Sequence, residues 1–272
     1  MLRLQLIKRM NNKIILSLLA VLIFLAVSAF VLAKPTTPSF GIPEHAVEIA
    51  PGLFSLGTAV ADGKVVEGLM FVHYKRENAK SPHASGGKGG TTCYTFLAKG
   101  AKWKTIEPYL VDPSNAADLN EGFVRSNLAL DIDEWETAAG VGILGDEFLG
   151  SVDRANIGNL NGQNEVIFAD VSSPGAIAVT IVWGIFYGPP SQKELVEWDQ
   201  IYDDVDFGWS STGAGGAMDF ENIAQHELGH SVGLGHPPDS CTEETMYAYA
   251  DYGETKKRTL NAGDITGINE LY

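Results

Sequence analysis

The chain has 272 residues, 45% of them hydrophobic and 10% aromatic, which supplies a sizeable core and excludes a disordered polymer. Acidic residues outnumber basic ones 34 to 19, which excludes nucleic acid as a partner, because a polyanion does not track phosphates. The first 33 residues hold four of the basic residues and no acid, leaving 15 against 34 and a net charge of −19 for the rest. That acidity reads as solubility in a salty exterior, with some carboxylates as candidate Ca2+ ligands.

Residues 14–33 form an unbroken apolar run behind Arg3, Lys8, Arg9 and Lys13, the pattern of an export signal. Cleavage after Ala33 is the preferred reading. The run is also about 20 residues long, enough to span a bilayer, so a retained N-terminal anchor is the alternative. Either way the remainder is expected to be secreted or extracellular, and monomeric. Residues 34–43 read as an extended linker rich in Pro and Thr. Two apolar runs over residues 46–75, separated by the turn pair Asp62-Gly63, predict a small β-rich leader. Residues 81–92, SPHASGGKGGTT, are flexible by composition, and because Gly87-Lys88 is followed by Gly89 they do not make a phosphate-binding loop.

From Cys93 the pattern becomes that of one larger α+β unit. CYTFLA and EPYLVD read as strands, and Asp112-Pro113-Ser114 breaks the chain before a helix. In that helix Val124, Leu128, Ile132 and Trp135 share a face. EVIFADV and AIAVTIVWGIFY read as strands of a buried sheet, and DQIYDDVDFGW as an exposed or edge strand. GAMDFENIAQHELGHSVG predicts a helix with Asp219 as N-cap and a stop at Gly233-Leu234-Gly235. NAGDITGINELY closes the chain as a short helix.

The decisive segment is HELGHSVGLGH, residues 226–236, which contains three of the six histidines. His226 and His230 are one helical turn apart, so their rings project from one face and can grip one ion. Gly233 lets the chain leave the helix sharply and bring His236 back as third ligand. Three neutral nitrogens leave a fourth position open, which is the donor set of a catalytic Zn2+ rather than a closed structural one. Glu227 stands beside the first ligand, where a general base is needed.

This pattern resembles the metzincin metallopeptidases, with the signature H-E-x-x-H-x-x-G-x-x-H followed by a methionine turn, and among them the matrixins. Met246 lies at a distance suited to that turn, Met246-Tyr247 matches the matrixin Met-Tyr pair, and the terminal helix resembles the one in which an aspartate, here Asp264, ties the helix to the turn. The resemblance implies a metzincin-type α+β catalytic domain over residues 93–272, with a twisted mixed sheet, an active-site helix and a C-terminal helix. Ahead of it come a signal or anchor at 1–33 and a leader at 34–92, either a removable propeptide or an attached binding module. It further implies a zinc-dependent endopeptidase acting on extracellular proteins or peptides through a metal-activated water, with one catalytic Zn2+ on His226, His230 and His236, Glu227 as base, and Gly233, Met246, Tyr247 and Asp264 as structural support. The alternative is a catalytically silent surface-binding protein on the same scaffold. Pro237 and Ala248 depart from the matrixin pattern, no histidine falls between residues 84 and 225 to hold a second, structural zinc, and the leader lacks the family's cysteine-switch sequence.

The remaining motif is the cysteine pair Cys93 and Cys241. In an oxidising compartment a lone pair reads as a disulfide. The rival reading makes Cys93 a thiolate that caps the metal.

Overall fold

In the computed structural model, residues 39–76 and 92–272 are described, apart from Asp118 and Leu149. The apolar run at 14–33, and the glycine-rich stretch except for Thr92, lie outside the described residues. The leader's apolar runs become three strands, β1 (Val47–Ala50), β2 (Leu53–Ala61) and β3 (Lys64–Lys75). Asp62 and Gly63 join β2 to β3 with φ of 47° and 76°, both positive as a two-residue hairpin of this kind requires.

Four more strands follow: β4 (Tyr109–Asp112), β5 (Asn164–Val171), β6 (Ala176–Ile185) and β7 (Glu194–Asp203). One mixed sheet runs β1-β2-β3-β6-β7-β5, with β4 and the two-residue strand Ser39–Phe40 both paired to β5. β4, β5 and β7 are parallel, β6 is antiparallel to β7, and β3 is antiparallel to β6. The leader strands thus extend the same sheet that carries the rest of the chain.

β7 corrects the expectation of an edge or exposed strand at DQIYDDVDFGW. It begins at Glu194, ends at Asp203 and lies between β5 and β6. Its acids suggested solvent, yet Glu197, Asp199 and Asp203 are fully buried. Loop and strand amides meet them there: Asn161 and Gly162 donate to Glu197, Gly158 and Glu165 to Asp199, and Val171 to Asp203. A buried polar group is tolerated when it is hydrogen-bonded. CYTFLA is corrected too. Only Thr95–Phe96 is strand, and it pairs with Leu234–Gly235 outside the main sheet.

Three α-helices lie among the described residues: α1 (Glu121–Ala139), α2 (Phe220–Ser231) and α3 (Ala262–Leu271). Asn120 caps α1 by accepting from the Phe123 amide, and Gly140 ends it in the left-handed region at φ 70°, where glycine carries no Cβ penalty. Its predicted apolar face is buried. One core lies between the helices and the sheet. A second covers the opposite sheet face, where Phe54, Leu56, Val66, Met70 and Val72 of the leader meet Ile167, Val179, Ile181 and Ile201. Each fully buried side chain of this size contributes about 1.5–3 kcal/mol, so the leader strands hold firmly.

Candidate metal centre

Helix α2 positions the site. Asp219 caps it by accepting from Asn222 N at 3.1 Å, and residues 222–231 are buried on every face. His226 Nδ1 bonds the Thr245 carbonyl at 2.7 Å and His230 Nδ1 the Leu234 carbonyl at 2.9 Å. Since a carbonyl only accepts, both Nδ1 atoms carry the proton, and each Nε2 presents a lone pair. Gly233, at φ 109°, turns the chain back: a Cβ there would sit 2.9 Å from Leu271 Cδ2 and 3.0 Å from the Ala101 carbonyl. Thr95 Oγ1 then holds the His236 carbonyl at 2.9 Å.

The turn brings His236 Nε2 to 3.1 Å from His230 Nε2 and 3.3 Å from His226 Nε2. His226 and His230 turn their lone pairs toward His236 Nε2, and three nitrogens at that spacing are placed to share one cation. Ligands about 2.0–2.1 Å from a tetrahedral Zn2+ stand about 3.3–3.4 Å apart, so the donor set fits zinc. Burial first, then neighbouring positive groups, keeps His226 and His236 well below the usual histidine range, and burial brings His230 down to about 3. The rings are neutral, as ligation demands.

Met246 lies under α2 at its closest approach. A Cβ on Gly229 would fall 2.0 Å from Met246 Sδ, so only glycine fits. Asp264 accepts from the amides of Thr245 at 2.7 Å and Met246 at 3.1 Å, and from Asn261 at 2.9 Å, which ties α3 to the turn. Tyr247 is buried, and its carbonyl accepts from Lys257 Nζ at 2.5 Å. Cys93 and Cys241 are disulfide-bonded across 148 residues, which leaves neither thiol free to cap a metal.

Glu227 is fully buried, and both of its oxygens are engaged. Thr180 Oγ1 on β6 donates to Oε2 at 2.6 Å, and His73 Nδ1 on β3 meets Oε1 at 2.9 Å. His73 Nε2 is 3.2 Å from Lys257 Nζ. Burial, then the Lys257 charge, pushes the His73 ring below its usual range, and burial also raises Glu227 to about 8 and lowers Lys257 to about 7. A neutral His73 therefore links the two groups, bonding the Glu227 carboxyl group through Nδ1 and facing the Lys257 amine with Nε2. Sequence reasoning missed all three partners. His73 sits two residues after Phe71 on the inward phase of a strand, a polar residue at an apolar position, and that was the available signal. Thr180 and Lys257 gave none.

A cavity of about 730 Å3 lies away from the histidines and is lined by Lys64, Lys104 and Glu194 among others. Both lysines pair with Glu194. Beside the centre a gap of about 10 Å3 lies between Gly52, Val72, Tyr74, His236, Ala248 and Tyr249, room for about one water.

A histidine pair on one helix, a glycine turn returning a third, a methionine beneath and a closing helix, packed against a mixed sheet, make a metzincin-like arrangement. Within that class the chain is matrixin-like, since residues 186–272 match the family described as Matrixin. It is 37% identical over 89 residues to Metalloendoproteinase 2-MMP of Arabidopsis thaliana, covering 32% of this chain and 22% of that protein. It is 39% identical over 69 residues to Matrilysin of Felis catus, covering 25% of each. To Metalloendoproteinase 4-MMP of Arabidopsis thaliana it is 41% identical over 56 residues, covering 21% of this chain and 16% of that protein. The chain thus matches a quarter or less of the length of these curated relatives.

Proposed function

We propose that the protein is an exported zinc-dependent endopeptidase that hydrolyses peptide bonds in extracellular proteins. The observation that carries this reading is the convergence of three Nε2 atoms, two of them 3.1 and 3.3 Å from the third, with Glu227 next in sequence to the first ligand. His226, His230 and His236 would hold the ion. A zinc held there supplies Lewis-acid polarisation of a carbonyl and lowers the pKa of water. Glu227 takes a proton from the attacking water and returns it to the leaving amine. β6 runs beside the site, with Thr180 bonded to Glu227, and its side now paired with β3 would, once vacated, give an extended peptide a strand to pair with, so that main-chain hydrogen bonds bind it and side-chain pockets select it. Among the described residues no helix is long and apolar enough to cross a membrane, and export rests on residues 14–33.

The test is zinc stoichiometry and casein hydrolysis on one preparation. About one zinc per chain is expected, and Glu227→Ala should keep the zinc while losing hydrolysis. An active Glu227→Ala protein, or one without zinc at His226, His230 and His236, would overturn the assignment.

A further inference from the structure

The edge of β6 that a peptide would use is already filled. β3 pairs with it antiparallel from Glu67↔Gly184 to Tyr74↔Ala176. On the other side of β3, Tyr249–Ala250, just after the methionine turn, runs parallel to Tyr74 and Lys75. β3 therefore lies between β6 and, on its other side, β2 as far as Phe71 and then the segment beyond Met246 at Tyr74 and Lys75, so the part of it nearest the histidines is paired on both sides.

Its side chains reach the centre itself. The Phe71 ring stacks on His230 with centroids 3.9 Å apart and meets His236 edge-on at 5.6 Å. The His73 ring lies 4.0 Å from that of His226 and bonds Glu227. Val72, between them, borders a gap of about 10 Å3 beside His236. No peptide chain fits there while β3 stays.

We infer that β3 is an internal strand in the place of substrate, and that it holds the protein latent by pairing with β6, covering two histidines with Phe71 and engaging Glu227 through His73. This rests on the peptidase reading and adds its regulation. The device acts on the base. His73 bonds one oxygen of Glu227 while Thr180 bonds the other, and the side chain is fully buried, so the base is shut off from an attacking water while β3 stays. Lys257 steadies His73 from behind, at 3.2 Å from Nε2. Nothing in this arrangement needs a cysteine, and both cysteines are joined to each other elsewhere.

The experiment uses the zinc-loaded full chain with fluorophore-quenched casein. Unaltered protein should be slow, and His73→Ala and Phe71→Ala should each raise the rate at least tenfold with zinc content unchanged. A residue with a merely structural role would lower the rate when removed. As a second arm, Val72→Cys with Val179→Cys places cysteines at a register pair of β3 and β6. Oxidised, that cross-link should cancel the gain from His73→Ala, because the strand can no longer leave. Casein cut by the unaltered chain as fast as by the variants, or a slower His73→Ala, overturns the strand inference and leaves the peptidase reading standing. Zinc bound but casein uncut by every form overturns both.

Discussion

Gly229 shows how much of the site hangs on one missing atom. Gly→Ala inside a helix ordinarily stabilises by roughly 0.5–1 kcal/mol. Here the new Cβ would overlap Met246 Sδ and lie 2.9 Å from Trp135 Cζ2, and overpacking of a filled core costs about 1–3 kcal/mol. Gly229→Ala should therefore lower the urea midpoint instead of raising it. Adding Met246→Ala should recover part of the loss, and the coupling in that double-mutant cycle is the measurement. Additive losses would mean that the clash relaxes elsewhere. Met246 makes no ligand bond in this account, since its sulfur lies against the helix backbone at Gly229, so Met246→Leu should cost under about 1.5 kcal/mol.

Among the elements, β7 carries a stability consequence. Burial, with Glu165 adding repulsion, raises Glu197 to about 7 from an ordinary 4.5, and burial with Glu197 and Glu165 raises Asp199 well above its usual range. Between about pH 4.5 and 7 the folded protein then holds a proton at Glu197 that the unfolded chain has released, so this group's contribution to stability falls as pH rises through that window. The melting temperature of Glu197→Gln should fall less than that of the unaltered protein across the same range. An equal fall would show that Glu197 is not the group responsible. The same strand marks where sequence reading stopped. α1 and α2 were legible because their apolar positions recur at helical spacing and their caps are local. The three histidines were legible for the same reason, lying within eleven residues. β7 misled because its acids look solvated until Gly158, Asn161 and Gly162 supply amides from a loop about 35–41 residues away in sequence. His73 and Lys257 stand 154 and 30 residues from Glu227. Only the pairing of β3 with β6 brings His73 there, and register between distant strands is written in no single segment.

For the whole molecule, the Cys93–Cys241 bond closes a loop across 148 residues. The chain-entropy estimate for so long a loop is roughly 5 kcal/mol, an upper figure because residual structure in the unfolded chain reduces it. Cys93→Ser with Cys241→Ser should lower the denaturation midpoint by up to that amount, read by urea unfolding monitored by tryptophan fluorescence. An unchanged midpoint would mean that residual structure already holds these ends near one another in the unfolded chain. The position of this bond has another effect. Both cysteines follow β3 in the chain, so the bond fastens the segment that begins at Cys93 and leaves β1, β2 and β3 joined to it by peptide linkage alone. A single nick between Arg76 and Thr92 would turn the strand from a tethered neighbour, present at an effective concentration on the order of millimolar, into a separate ligand. Its hold on the site would then depend on dilution, and a nicked sample should become more active as it is diluted and quieter as it is concentrated.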